Sequence, residues 1–365
     1  MKILIKKSGI LKLRRRFFLI LSFLPAVILF FTLCILTPAV LNSMMVKENG
    51  NAPTFTFKVP EKTAVKSETM DRIDRDGEIV YEKELLPENI FPLSTPDPEK
   101  VYYEVKETNA SRSADSCGIS VNDSTNSDTD LKAILEGEFS PDFSSYKLFS
   151  GEPLVLIYHT HTCESYEESF RTFYYEDDIF RTEDKEKNVC AVGEAMKKVL
   201  EENGIAVIHD TTYHDTPAFN GAYSRSKETA LYNLEKYPSI KITIDLHRDA
   251  MITDEGLSYK PTTKINGKKA AQMMIIAGCD VDNELGYDNW LLNLPFSLQI
   301  QKTAESMYPG LMRPLMFCNR SYNMGLTNTS FLVEVGTQSN TLSEAVYSGR
   351  LMGNILSEVI IGNLS

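Results

Sequence analysis

Three apolar runs of strand length close on residues that can bind metals or move protons. Leu154-Val-Leu-Ile-Tyr158 runs into His159-Thr-His161-Thr-Cys-Glu164. Ile240-Lys-Ile-Thr-Ile-Asp-Leu246 ends on His247-Arg248-Asp249, and Phe331-Leu-Val333 leads into Glu334-Val-Gly336. Short runs of this kind, rich in β-branched residues, predict buried strands. Between them the period changes to that of helices. Residues 188–202 place Val189, Val192, Met196, Val199 and Leu200 on one face and stop at Asn203-Gly204. Helices are also predicted over 222–237, ended by Pro238, and over 289–307, before Pro309-Gly310. Residues 205–208 and 272–277 read as further strands, and Thr341-Leu-Ser-Glu344 predicts a capping box that opens a C-terminal helix. Alternating strands and helices predict an α/β fold, a three-layer sandwich around a mainly parallel sheet, over residues 148–365. Such sheets bind ligands beyond the carboxyl ends of their strands.

The N-terminal pattern is different. Lys2, Lys6, Lys7, Lys12, Arg14, Arg15 and Arg16 precede a stretch, 17–46, without any charge. Its core, 17–41, exceeds the roughly 20 apolar residues that cross a bilayer. The basic flank predicts a cytoplasmic N-terminus and export of everything after Val46. The expected organisation is a basic tail (1–16), a transmembrane anchor (17–41), an extracytoplasmic tether (42–147) and a hydrolase domain (148–365). A cleaved signal peptide is the rival reading, but its apolar core is shorter and an A-x-A-like site follows it; none is present here. Pro25 and Pro38 are compatible with a spanning helix. In the tether, prolines recur, and 109–130 is so rich in Ser, Asp, Asn and Thr that disorder is expected. Phe55-Thr-Phe57, Ile79-Val-Tyr81 and Val101-Tyr-Tyr103 are candidates for strand pairing or docking.

Charge narrows the function. The net charge of −12 understates the acidity of the exported part, because seven basic residues precede the apolar stretch. An acidic domain is a poor binder of nucleic acid, whose affinity rests on neutralising phosphates. The six cysteines are scattered rather than spaced as a disulfide framework. Cys34 falls within the expected anchor. Cys163, two residues after His161, is a candidate soft ligand as well as a candidate buried thiol.

A zinc centre that hydrolyses an amide needs three protein ligands and one open position for water. The metal acidifies that water and polarises the scissile carbonyl. A carboxylate then carries the proton to the leaving amine. His159 and His161 lie just past one strand end and His247 at another. His161 and His247 are candidate ligands, and Glu164, three residues beyond His161, can complete the set. Glu186, just before the helix at 188, competes with it. In an extended strand residues i and i+2 share a face, so His159 joins the site unless the chain has turned at Thr160. Glu334 is an apolar-flanked carboxylate whose desolvation would raise its pKa toward a useful acid–base range. Asp245 shares a face with His247 and is a candidate acceptor for its imidazole. Arg248 and Asp249 are candidates to orient that ring or bind an anionic group. Tyr223, Arg225 and Ser226 open a helix and either line the site or cap it. His209 and His214 read as structural.

These strings also carry a resemblance. Tyr158-His-Thr-His161-Thr-Cys-Glu164-Ser-Tyr166, Asn188-Val-Cys-Ala-Val-Gly193, Tyr237-Pro-Ser-Ile240, Ile244-Asp-Leu-His247-Arg-Asp249, and Glu334-Val-Gly336 with Asn340-Thr-Leu342 resemble the stage II sporulation protein P family, from about residue 150 to the C-terminus. The resemblance implies a membrane-anchored peptidoglycan hydrolase related to zinc-dependent N-acetylmuramoyl-L-alanine amidases. It implies cleavage of the amide joining N-acetylmuramic acid to the stem peptide, and endopeptidase cleavage of cross-links. It also implies action in forespore engulfment beside stage II sporulation proteins D and M. It puts the first histidine ligand on His161, the second on His247 and the catalytic glutamate on Glu334. The amidases' glutamate ligand corresponds to Glu186, whereas this family's own string places Glu164 beside the histidines. Cys163 stands where a small or hydroxyl residue is expected.

Two other classes compete. Metal-dependent phosphoesterases and amidohydrolases also begin with H-x-H at a strand end, but their barrels need about 250 residues and more histidines. A non-catalytic wall-binding scaffold would not need His161, His247 and Glu334 together.

Overall fold

The computed structural model describes residues 95–114, 118–125, 127–137, 139, 141 and 143–364. The chain divides into two units, Met1–Lys83 and Glu84–Ser365, and every described residue belongs to the second. The anchor expected at 17–41 and the tether before residue 95 lie outside the described residues. Among the described residues no helix is long and apolar enough to cross a membrane.

The fold is mixed α/β. In chain order the elements are β1 (Tyr102–Thr108), β2 (Val121–Asp123), α1 (Leu131–Glu136), β3 (Val155–Tyr158), β4 (Phe173–Tyr175) and α2 (Val189–Glu202). Then come β5 (Val207–His209), α3 (Ala222–Lys236), β6 (Ile242–Asp249), β7 (Ser258–Ile265), β8 (Lys268–Ala271) and β9 (Met273–Cys279). The chain closes with α4 (Trp290–Met307), β10 (Leu315–Asn319), β11 (Phe331–Thr337) and α5 (Leu342–Gly362). The main sheet has the order β2-β10-β9-β11-β6-β3-β5. Its neighbours are parallel except for β9 and β11, which run antiparallel.

Strand alternation sets the two faces of that sheet. Val155 and Ile157, Ile242, Ile244 and Leu246, and Phe331, Val333 and Val335 all enter one core with residues of α2, α4 and α5. Leu156 and Tyr158 point the other way and pack with Ala230 of α3, and Leu332 meets Tyr287 and Met324. Asp245, His247 and Glu334 have the parity of this second face. Local signals hold α2 and α5 in place. Asn188 caps α2 by accepting from the Cys190 N–H. Thr341 and Glu344 form the expected capping box on α5.

One expected pairing is present and two features differ from expectation. Tyr102 and Tyr103 of the candidate string Val101-Tyr-Tyr103 lie in β1, which pairs with β4 and β7, while β2, inside the stretch expected to be disordered, extends the main sheet beside β10. Within the stretch expected to be disordered, Ile119 is buried in the main core, as is Phe143 just after it. Composition counted along a segment does not reveal such partners from distant strands. The second correction is a four-stranded sheet, β4-β1-β7-β8, which was not anticipated. Its β7–β8 hairpin turns on Asn266-Gly267, with φ of 49° and 78°, the dipeptide that two-residue hairpins favour. Lys260 of β7 is buried, with Nζ 2.8 Å from Glu344 Oε1 and 4.5 Å from the centre of the Phe170 ring. This ion pair, a charge contact rather than an aligned hydrogen bond, fastens the small sheet to the start of α5.

Candidate metal and catalytic centre

β3 ends at Tyr158 and the chain turns through residues 160–163. His159 and His161 therefore part. His159 keeps the parity of Ile157 and goes to the α2 side. Its Nδ1–H donates to the Leu246 carbonyl at 2.8 Å, and its Nε2 lies 2.9 Å from His209 Nε2. Both nitrogens are engaged, so His159 braces the strand before His247 and is not free to ligate. Gly193 of α2 makes the room: a Cβ there would stand 2.6 Å from His209 Nε2 and 3.2 Å from His159 Cε1. His214 is likewise engaged, donating from Nδ1 to the His159 carbonyl and accepting from Thr229 Oγ1.

On the other side of the sheet Asp245 ties two elements of the site together. Oδ1 accepts from the Thr160 N–H at 2.8 Å and Oδ2 from the Thr160 hydroxyl at 2.6 Å. The residue that follows, His161, is thereby fixed to β6. Asp245 Oδ1 also lies 2.9 Å from His247 Nε2, although the N–H is not aimed for a hydrogen bond.

His161 and Glu164 each approach His247. The rings of His161 and His247 are 5.3 Å apart, centre to centre, and nearly perpendicular. Two imidazoles on one tetrahedral zinc, with bonds of about 2.1 Å, would place their centres roughly 5.4 Å apart. His247 Nδ1 is 3.5 Å from Glu164 Oε2, and two donors on such a zinc stand about 3.4 Å apart. Glu164 Oε2 is further held by the Arg248 N–H at 3.1 Å. His161 Nδ1 and His247 Nε2 are buried without a hydrogen-bond partner. Two imidazoles and a carboxylate are a donor set that suits zinc. Among the described residues no group of three or more His, Cys, Asp or Glu side chains is placed to hold a metal ion as it stands.

Charge follows from this packing. Burial lowers the pKa of His161 and outweighs the attraction of Glu164. Burial also opposes a charge on His247, but Asp245 and Glu164 outweigh it and hold the imidazole well above its ordinary value. Burial raises the Glu164 pKa, and His247 and Arg248 more than reverse that, so Glu164 stays a carboxylate. Glu334 stands opposite His247 in the β11–β6 ladder. Its Oε2 is buried without a partner, and burial above all pushes its pKa up to about 8. Gly336, with φ of 66°, lets β11 shift register just beyond it.

Several expected residues lie elsewhere. Glu186 is exposed on the loop before α2, and its own N–H bonds to Asp184. The Arg248 guanidinium donates to the carbonyls of Ser165 and Phe180, so it staples the Glu164 loop and is not open to an anionic ligand. Asp249 pairs with Arg313 at 2.7 Å. Cys163 is buried and its N–H bonds to Asp215. Burial pushes its thiol up to about 12, which disfavours the thiolate a soft-ligand site needs. One contact was not foreseen. Phe219, which is exposed, stacks flat on His161 with ring centres 4.3 Å apart. An aromatic residue in a polar loop was the only hint in the sequence. Tyr223, at the start of α3, packs against both His161 and His247, at 5.7 and 6.4 Å. Of its two expected roles, lining and capping, it takes the first.

The model of the family described as Stage II sporulation protein P matches residues 66–357. Stage II sporulation protein P of Bacillus subtilis (strain 168) is 25% identical over 280 residues, which cover 74% of this chain and 62% of that protein. The matched region thus spans less than two thirds of that relative's length. Among solved structures, the N-acetylmuramoyl-L-alanine amidase AmiC2 of Nostoc punctiforme aligns at a TM-score of 0.34 with 14% identity, covering 59% of this chain and 98% of that one. The CwlD amidase from Clostridioides difficile, in complex with the GerS lipoprotein, aligns at 0.31 with 12% identity, covering 58% and 98%. These structural likenesses are distant.

Proposed function

This chain belongs to the stage II sporulation protein P family, and from that premise we propose that it is a zinc-dependent peptidoglycan hydrolase. Its reaction is cleavage of the amide between N-acetylmuramic acid and the stem peptide, with endopeptidase cleavage of cross-links as a second activity. The uncharged stretch 17–46 supports attachment to the membrane with the hydrolase domain outside. Its setting is forespore engulfment, with stage II sporulation proteins D and M as partners.

The observation that carries the reading is the His247–Glu164 approach of 3.5 Å beside His161, with Glu334 across the ladder. His161, His247 and Glu164 would hold the zinc, which when bound acidifies water and polarises the scissile carbonyl. Glu334 accepts the proton of the attacking water and returns it to the leaving nitrogen. A carboxyl titrating near neutrality suits both transfers, and Glu334 is pushed up to about 8. Asp245 fixes the path of the chain into His161 and places its charge 2.9 Å from His247 Nε2. An open groove of about 490 Å³ runs along the loop that follows Glu164, lined by Ser165, Phe180, Arg181 and Lys187 among others.

The test is digestion of cross-linked peptidoglycan by the full-length chain, with and without a chelator, followed by mass spectrometry of the products. Release of stem peptides with free N-terminal alanine, lost on chelation and restored by zinc, is expected. Binding without release would favour a scaffold, and activity confined to phosphoesters would favour a phosphoesterase. Either outcome would overturn the reading.

A further inference from the structure

We propose that Tyr223 is a catalytic residue whose phenol donates a hydrogen bond to the oxyanion formed at the scissile carbonyl. The inference rests on the hydrolase reading and adds an acting group to it.

Three observations carry it. First, the Tyr223 ring is wedged against both proposed histidine ligands. It lies edge-on to His161, with 83° between the planes, and nearly parallel to His247, at 16°. Second, the ring is part-buried between the two histidines and Tyr322; burial first, and then the nearby carboxylate of Asp245, the Tyr322 phenol, and the carboxylates of Glu334 and Glu164, keep the phenol protonated. Among the described residues its oxygen makes no hydrogen bond, whereas its backbone carbonyl does. Third, the fold holds this side chain firmly. Asn323 Nδ2 donates to the Tyr223 carbonyl at 2.8 Å and to Ser226 Oγ at 3.1 Å. Tyr322 packs on the Tyr223 ring at 5.4 Å. Both bracing residues have left-handed backbones, with φ of 38° and 59°, and neither is glycine. Such conformations are uncommon outside glycine, asparagine and aspartate, and persist where the surroundings impose them. Ser226 in turn bonds Thr160 Oγ1, which bonds Asp245. The brace on Tyr223 and the brace on the histidines are therefore one network.

The step balances without a further reactant. The water oxygen bonds to the carbonyl carbon as its proton passes to Glu334. The carbonyl π pair moves onto oxygen, which accepts the Tyr223 O–H hydrogen bond while the phenol keeps its proton. Collapse reforms the C=O, the C–N bond breaks, and nitrogen takes the proton from Glu334. A free phenol has a pKa of about 10, so the donor is present at neutral pH. A donor aimed at an oxyanion contributes mainly in the transition state.

The experiment is Tyr223→Phe in the full-length chain, assayed on peptidoglycan, with zinc content, Tm and affinity for a phosphinate mimic of the tetrahedral intermediate measured alongside. The expected result is a fall in kcat of about 10²–10³-fold with KM nearly unchanged. Zinc content and Tm should match the wild type, and the phosphinate should bind more weakly by a similar factor. A kcat equal to that of the wild type would overturn the inference and leave the hydrolase reading standing. Loss of zinc in parallel with turnover would also overturn it, because Tyr223 would then only pack the metal site. A wild-type chain without hydrolase activity would remove both.

Discussion

Glu334 and His247 are cross-strand neighbours in the parallel β11–β6 ladder, one inter-strand step of about 4.8 Å apart along the backbone. The sheet itself thus sets the spacing between the proposed proton carrier and a proposed ligand. Glu334→Gln keeps the shape and removes the base. Its kcat should fall by about 10²–10⁴-fold while zinc content stays at the wild-type level. Steady-state kinetics with metal analysis checks this, and near-normal turnover would show that another group carries the proton.

The same carboxyl gives the zinc-free chain a pH signature. Its ordinary pKa of 4.5 rises to about 8 in the fold, so between those values the folded state holds the extra proton. Stability therefore falls as pH rises from about 4.5 to about 8. Glu334→Gln should remove this component and stabilise the zinc-free chain at pH 8 by about 2–4 kcal/mol. Urea unfolding of chelator-treated wild type and variant at pH 5 and pH 8 measures the difference. A variant no more stable than wild type at pH 8 would contradict the desolvation argument.

What the sequence revealed depended on how local each signal is. α2, α3, α4 and the α5 capping box were legible because period, cap and stop signals all lie within the element. The strand ends carrying His247 and Glu334 were legible as breaks in apolar runs. The small sheet was not, because the buried positions of β7 include Ser258, Lys260 and Thr262, and a strand with polar buried positions has no hydrophobic alternation to detect. β1 was legible only at its start, as Val101-Tyr-Tyr103, and β2 and β4 needed partners far along the chain. At the site, the parting of His159 from His161 hinged on where β3 ends. The exposure of Glu186 and the engagement of Arg248 with loop carbonyls depend on tertiary placement, which neighbouring residues do not encode.

Gly193 lies inside α2, where alanine would ordinarily add about 1 kcal/mol of helix stability. Here Gly193→Ala would push a methyl group to 2.6 Å from His209 Nε2. Overpacking of this kind costs about 1–3 kcal/mol, so the variant should be less stable. Adding His209→Ala should recover part of the loss, because the two changes relieve one contact. Denaturant unfolding of the two single variants and the double variant reads the coupling. A stabilising Gly193→Ala would show that the histidine pair does not need this space.

Lys260 and Glu344 form a buried ion pair that joins β7 to α5. Removing one partner strands a charge, so Lys260→Ala should cost about 3–5 kcal/mol. Lys260→Met with Glu344→Gln removes both charges, and glutamine still serves a capping box. The double variant should lie within about 1 kcal/mol of the wild type. Equal losses for Lys260→Ala and the double variant, in thermal or urea unfolding, would contradict this.

The central claim is convergence on one metal, and the direct test is a crystal grown with zinc and measured at the zinc absorption edge. The account predicts one anomalous peak bonded at about 2.0–2.2 Å to His161, to Nδ1 of His247 and to Glu164, with Glu334 beside its open position. A peak bonded to Glu186 in place of Glu164, or no peak between His161 and His247, would contradict it.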